Sequence, residues 1–193
     1  MAQLLVDYIT SLDGYGSAEG WPGLWGMGGP DYFSFLDEDG REDYALLLGA
    51  TTYRLFARFA ETGEEFTDEL AARTKYVFSH GLDEPLGLGD STLVRNDPVA
   101  FVRELKQRDR PLRTIGSPTL VRSLLAAGLV DRYRVVVFPV VNGATGADRI
   151  YDGWPDVTFA DIITRTFDGR LQLFEGTPTR SPSPPDPAAD AKV

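Results

Sequence analysis

Apolar positions along this chain recur with two periods, and the switches between them mark a repeated unit of strand, small-residue turn and helix. Residues 4–10 alternate and are apolar enough to predict a first strand, which leads into the turn Ser11-Leu12-Asp13-Gly14-Tyr15-Gly16. The run Ala45-Leu46-Leu47-Leu48 predicts another strand. It stops at Gly49-Ala50-Thr51-Thr52 and restarts as the helical stretch Tyr53-Arg54-Leu55-Phe56-Ala57-Arg58-Phe59. Lys75-Tyr76-Val77-Phe78 predicts a strand ending in Ser79-His80-Gly81, and Asp97-Pro98 opens a helix with Phe101, Val102 and Leu105 on one face. The same logic recurs at Thr114-Ile115-Gly116-Ser117-Pro118-Thr119-Leu120, where Ser117 is the expected N-cap and Pro118 the first helical residue. That helix buries Leu120, Val121, Leu124 and Leu125 and stops at Gly128.

Tyr133 to Val141 is almost continuously apolar, as expected of a strand covered on both faces, with a bulge or break at Pro139, which has no N–H to give a ladder. Val157 to Phe167 and Arg170 to Glu175 flank Asp168-Gly169, a strong hairpin signal, so the sheet is mixed. The fold class is α/β, with a domain over 1–175 and a Pro-rich disordered tail over 176–193. The glycine-rich stretch from Gly14 to Pro30, carrying Trp21 and Trp25, fits no regular element. It reads as a lid over a site or as a surface loop pinned by its tryptophans.

Small-residue turns opening helices suit a phosphate, because backbone comes close to the ligand at a helix end that carries partial positive charge; the alternative at each is an ordinary strand-to-helix connection. Two such turns, with Ser79 and His80 at a third strand end, would make a groove for a dinucleotide along the carboxyl edge of the sheet. A net charge of −10 works against an anionic ligand at long range and against polynucleotides altogether, but screening over roughly 8–10 Å leaves room for local helix ends and arginines. Cysteine is absent and His80 is the only histidine, which excludes disulfides, thiolate sites, a cysteine nucleophile and a histidine-rich metal site; no metal is expected. The 193 residues suit one domain. The N-terminus lacks a basic region before its apolar stretch and no run approaches membrane-spanning length, so a cytoplasmic protein is expected.

The order Ser11-Leu12-Asp13-Gly14, Leu48-Gly49-Ala50-Thr51-Thr52-Tyr53, Lys75-Tyr76-Val77-Phe78-Ser79, Ile115-Gly116-Ser117, Leu124 to Asp131 and Phe138-Pro139-Val140-Val141-Asn142-Gly143 resembles the dihydrofolate reductase superfamily. It is most similar to the bacterial branch that includes the reductase domain of riboflavin biosynthesis. The resemblance covers roughly residues 3–175. It implies a three-layer dihydrofolate-reductase-like fold, with a mostly parallel central sheet and an antiparallel C-terminal hairpin, that binds NADPH across its strand ends and commonly forms a homodimer. On motif matching, Gly49, Ala50, Thr51 and Thr52 hold the pyrophosphate side, Ser79 and His80 the 2′-phosphate side, and Gly116, Ser117, Pro118, Thr119 and Leu120 the second phosphate turn. Tyr8 and Ile9 lie by the nicotinamide, with Asp13 and the glycine-rich loop closing over it.

Two departures subtract anion contacts: Ala50 stands where the family often carries Arg or Lys, and Ser117-Pro118 follows Gly116 where two glycines are usual. Asp31, in the first turn of the helix after the loop, is the candidate for binding an amino-heterocycle or relaying a proton, with a helix-dipole role as the alternative. For Asp13 the alternative is an Asx turn, and for His80 a surface turn. The function implied is NADPH-dependent reduction of a small heterocyclic, pterin- or pyrimidine-like, or carbonyl substrate by hydride transfer. The competing readings are a non-reductase member binding a nucleotide or small metabolite in the same groove, and an oligomeric scaffold.

Overall fold

A computed structural model of the protein describes residues 1–20, 24–62 and 67–181. In chain order the elements are β1 (Leu4–Ser11), β2 (Tyr15–Ala18), α1 (Pro30–Gly40), β3 (Ala45–Gly49), α2 (Ala50–Thr62), α3 (Thr67–Ala72), β4 (Lys75–Phe78) and β5 (Ser91–Val94). They continue as α4 (Pro98–Leu105), β6 (Leu112–Ile115), α5 (Pro118–Ala126), β7 (Arg132–Phe138), β8 (Gly146–Arg149), β9 (Val157–Phe167) and β10 (Leu171–Arg180).

Eight strands form one sheet in the order β5-β4-β3-β6-β1-β7-β10-β9, and β2 pairs with β8 in a separate ribbon. The first six strands of that order run parallel, while β10 runs antiparallel to both β7 and β9. The predicted mixed α/β sheet and its C-terminal hairpin are therefore present. Strand β1 sits in the middle, with β6 and β7 on either side.

Strand periodicity divides the core into layers. Leu4, Val6 and Tyr8 of β1, with Leu47, Leu112, Tyr133 and Val135, face the helices α4 and α5 through Val102, Leu105, Val121 and Leu124. Residues one position out of phase face the other way: Leu46 and Leu48 pack with Tyr53 and Leu70, and Val136 and Phe138 pack with Tyr32. Burying one such aliphatic side chain stabilises the fold by about 1.5–3 kcal/mol, so the two phases of the strands hold three layers together.

Several details differ from the sequence reading. Ser117 does not cap its own helix; its φ is 64° and its hydroxyl makes no cap bond. The strand β10 continues to Arg180, pairing Thr177, Pro178, Thr179 and Arg180 with β9, so ordered structure passes the expected boundary at 175. Residues 182–193 of the expected tail lie outside the described residues. The sequence reading had no β2, β5, β8 or α3. Within the glycine-rich stretch Trp25 packs against Phe138 at 5.2 Å and its Nε1 donates to Asn142 at 3.0 Å, so this part is pinned; Trp21 lies outside the described residues.

The hairpin tip does a second job. Phe167 O accepts from Arg170 N at 2.9 Å, and the two central residues of that turn, Asp168 and Gly169, carry left-handed φ of 50° and 68°; the ladder resumes at Leu171 opposite Phe167. Asp168 then reaches α1: its Oδ1 accepts from Asp31 N at 3.0 Å and its Oδ2 from Tyr32 N at 3.2 Å. Gly29, at the N-cap of α1, has no side chain to do this. Asp168→Ala is expected to lower the unfolding free energy by about 1–2 kcal/mol in urea titration, the usual cost of a lost cap, and Asp168→Asn by less, because Asn keeps one acceptor and tolerates the left-handed backbone.

Candidate active site

The carboxyl ends of β1, β3, β4 and β6 open into one cleft of about 1600 Å³. Two helix starts border it. α2 follows β3 directly at Gly49, and α5 follows β6 through Gly116 and Ser117, with φ of 72° and 64°. The hydroxyl of Ser117, freed from capping, crosses to the other turn: it accepts from Gly49 N at 2.6 Å and lies 3.0 Å from the Thr52 hydroxyl. The fit is tight at both glycines. A Cβ on Gly49 would stand 3.0 Å from Ser117 Oγ, and one on Gly116, besides its left-handed φ, 3.3 Å from Thr52 Oγ1.

The first-turn amides of both helices, Pro118 excepted because it has no N–H, lack partners within their own helix and carry the positive end of the helix dipole. Gly49, Ala50, Thr51, Thr52, Gly116, Ser117, Pro118, Thr119 and Leu120 all line the cleft, as do Ser79, His80, Tyr8 and Ile9. The cofactor-side residues singled out in the sequence thus share one surface. Two tightly packed glycines beside two convergent helix starts fit a pyrophosphate-bearing group. Tyr8 adds a hydroxyl that is buried at the cleft wall without a hydrogen-bond partner, its ionisation pushed up by burial and by the nearby Tyr151 and Asp148.

Arg95 is occupied by the carbonyls of His80 and Leu82, at 3.1 and 2.8 Å, and Arg54 faces a separate shallow hollow beside Glu61. Arg58 on α2 and Arg122 on α5 line the cleft, exposed.

Between α1 and α2 the cleft floor is ionic. Arg134 of β7 reaches Asp7 of β1, directly across in register, through Nε to Oδ1 at 3.1 Å and Nη2 to Oδ2 at 2.6 Å. It also donates to both oxygens of Asp39 on α1 at 2.8 Å. Arg113 of β6 donates to the same two oxygens, at 2.5 and 3.1 Å. Both arginines are buried, with side chains 6% and 4% exposed. Burial works to raise the Asp39 carboxyl, but the hydrogen bonds from Arg134 and Arg113 outweigh it and hold it below its ordinary value. Tyr44 is stacked between Arg113 and Arg73, at 3.9 and 3.8 Å from its ring centre. Above this floor the walls are apolar, from Ile9, Phe35, Leu36, Leu55 and Phe56.

The two expected catalytic carboxylates stand elsewhere. Asp31 is exposed at the start of α1 and takes part in the bracket with the hairpin, its Oδ2 accepting from Asp168 N at 3.4 Å. Asp13 is a clasp between loops: it accepts from Ser11 Oγ at 2.6 Å and from the amides of Asn142 and Gly143 at 3.1 and 3.0 Å, and these bonds hold its carboxyl at about 2. Neither lines the cleft. Both carboxylates accept from backbone amides far away in sequence. The sequence reading passed over Asp7, Asp39, Arg113 and Arg134. A signal was present for Asp39, which continues the spacing of Tyr32 and Phe35 on the inner face of α1, and for Asp7, Arg113 and Arg134, charges inside strands otherwise buried.

Among the described residues no group of three or more His, Cys, Asp or Glu side chains is placed to hold a metal ion, and no helix is long and apolar enough to cross a membrane.

The model of the RibD C-terminal domain family matches residues 2–173. The uncharacterized protein YyaP of Bacillus subtilis is 25% identical over 173 residues, covering 86% of this chain and 89% of that protein. Among solved structures, a protein assigned to riboflavin biosynthesis from Shewanella sp. PV-4 superposes with a TM-score of 0.69 at 20% identity, over 93% of this chain and all of that one. A dihydrofolate reductase from Enterococcus faecalis, solved with NADP(H), superposes with a TM-score of 0.58 at 16% identity, over 92% of this chain and 96% of that one. These likenesses establish the three-layer dihydrofolate-reductase-like fold.

Removing one member of the ionic floor leaves buried guanidinium charge under-compensated. Asp39→Asn is expected to destabilise the protein by about 3 kcal/mol or more in urea unfolding. The wild-type contribution of Asp39 is complete above the ordinary aspartate value near 4 and is lost as pH falls through the lowered folded value. The stability difference between the two proteins is therefore expected to narrow on acidification below about pH 4.

Proposed function

This chain belongs to the RibD C-terminal domain family, and on that premise we propose that it is an NADPH-dependent reductase of a small heterocyclic, pterin- or pyrimidine-like substrate. The observation that supports this reading best is the tying of two helix starts by Ser117, which sets them side by side next to an apolar pocket with a polar floor. NADPH, when bound, supplies a hydride and the reducing power. In this reading Gly49 to Thr52 and Gly116 to Leu120 hold its pyrophosphate, Ser79 and His80 its 2′-phosphate side, and Tyr8 and Ile9 lie by the nicotinamide.

The protein contributes placement and exclusion of water more than acid–base chemistry. Holding two reactants in register can remove about 7–11 kcal/mol of the barrier, and a floor whose charges are already paired need not reorganise when substrate arrives. Arg58 and Arg122 offset the loss of a cation at Ala50, and each charge-assisted contact to a phosphate is worth about 1.5–3 kcal/mol. A homodimer belongs to the same reading, supported by Ile162 and Ile163, which are 55% and 54% exposed on the edge strand β9.

Titration of NADPH and NADH, followed by nicotinamide fluorescence excited through tryptophan, is expected to show saturable binding that prefers NADPH. Thr119→Glu places a carboxylate in the first turn of α5, where it suits the helix dipole but opposes phosphate. It is expected to weaken NADPH at least tenfold without lowering the thermal midpoint. Binding of NADPH without turnover of any pterin, pyrimidine or carbonyl substrate would favour the non-reductase reading, and no binding at millimolar cofactor would end the reductase reading and leave that of a metabolite-binding member.

A further inference from the structure

The clasp that Asp13 makes just beyond the ends of β1 and β7 closes on the pair Asn142-Gly143. In such a pair the glycine nitrogen can attack the side-chain amide carbon of the asparagine before it, because glycine puts no Cβ in the way. The nitrogen gives its proton to hydroxide, the bond from Gly143 N to Asn142 Cγ forms, and the bond from Cγ to Nδ2 breaks. Nδ2 leaves as ammonia with a proton from water, which restores the hydroxide. Water then opens the five-membered imide on either side, giving aspartate or its β-linked isomer, and nothing is oxidised or reduced.

The turn cannot avoid this pair by changing its glycine, since Gly143 has a left-handed φ of 49°. Crowding does not protect it either. Gly143 is exposed, and nothing stands within 4 Å of the place its Cβ would take. What restrains the pair is hydrogen bonding. The Asn142 side chain is held at both ends, Oδ1 accepting from Trp25 Nε1 at 3.0 Å and Nδ2 donating to Ser17 O at 3.5 Å. Its carbonyl accepts from Thr145 N at 3.0 Å. Both backbone amides of the pair donate to Asp13, Asn142 N to Oδ1 at 3.1 Å and Gly143 N to Oδ2 at 3.0 Å.

The last of these bonds acts on the reacting atom itself. To attack, Gly143 N must lose its proton, and the resulting anion would lie 3.0 Å from a carboxylate oxygen. That carboxylate stays ionised, because the hydrogen bonds from Ser11 and from the two amides hold it at about 2. A like charge so close disfavours the deprotonated amide.

We propose that Asn142-Gly143 is a latent deamidation site and that the Asp13 carboxylate keeps it shut by holding the Gly143 amide. Once the clasp opens and the reaction runs, it does not close again. Aspartate at 142 sets a second carboxylate beside Asp13 and removes the donor to Ser17, and the β-linked isomer adds a carbon to the backbone between the two amides that Asp13 spans. The site is independent of any cofactor.

The test is incubation of the full chain at mildly alkaline pH, with peptide mapping of deamidation and isoaspartate at position 142. Native wild type is expected to react at least tenfold more slowly than wild type unfolded in guanidinium, and Asp13→Ala at least tenfold faster than native wild type. Trp25→Phe frees Asn142 Oδ1 but leaves the Gly143 amide tied, and is expected to change the rate far less than Asp13→Ala does. Should Asp13→Ala fail to fold, hydrogen exchange of the Gly143 amide in wild type reads the same atom, and at least tenfold protection over an unstructured chain is expected. A native rate equal to the unfolded one, an Asp13→Ala rate no higher than wild type, a Trp25→Phe rate as high as that of Asp13→Ala, or an unprotected Gly143 amide would overturn the proposal.

Discussion

The buried ionic floor sets a constraint that the rest of the site obeys. Arg113 and Arg134 project from adjacent positions around the central strand into the layer beneath α1. Two guanidinium groups at such depth must be paired, because an isolated buried charge costs several kcal/mol even after relaxation. Asp7 and Asp39 meet that need, and in doing so they fix α1 over β1, β6 and β7 at one register. Replacing the set by apolar residues of similar volume would give a fold of comparable stability. What apolar residues would not give is a polar, rigid base to a pocket whose walls are aromatic and aliphatic.

A second economy of parts appears at the two helix starts and at the hairpin tip. Ser117 gives up the capping role its residue type favours and uses its hydroxyl to join α5 to α2. Asp168, far along the chain, caps α1 instead. Both exchanges replace a local hydrogen bond by a long-range one of similar strength. Secondary structure changes little, but the relative placement of the elements that border the cleft becomes tightly specified.

The sequence made the framework legible because strands and helices announce themselves locally. Periodicity located β1, β3, β4, β6 and β7, Asp97 capped α4 as its type predicts, and Asp168-Gly169 formed the centre of the hairpin turn. The turns at Gly49 and Gly116 were readable for the same reason, since a small residue there answers to its own neighbours. What failed depends on partners far away in sequence. Asp31 and Asp39 lie on one helix with the same chemistry, and only the third dimension decides which one meets Arg134 across 95 positions of chain. Short elements with no apolar alternation, such as β2 with its Gly16 and Ser17, owe their conformation to the strand they pair with, here β8.

A cofactor lying across the two helix starts is tested most directly by amide hydrogen exchange with and without NADPH. Slowed exchange confined to the amides of Ala50 to Thr52 and of Thr119 and Leu120, with the hairpin tip around Asp168 unchanged, is the predicted result. Protection elsewhere, or none at saturating cofactor, would contradict it.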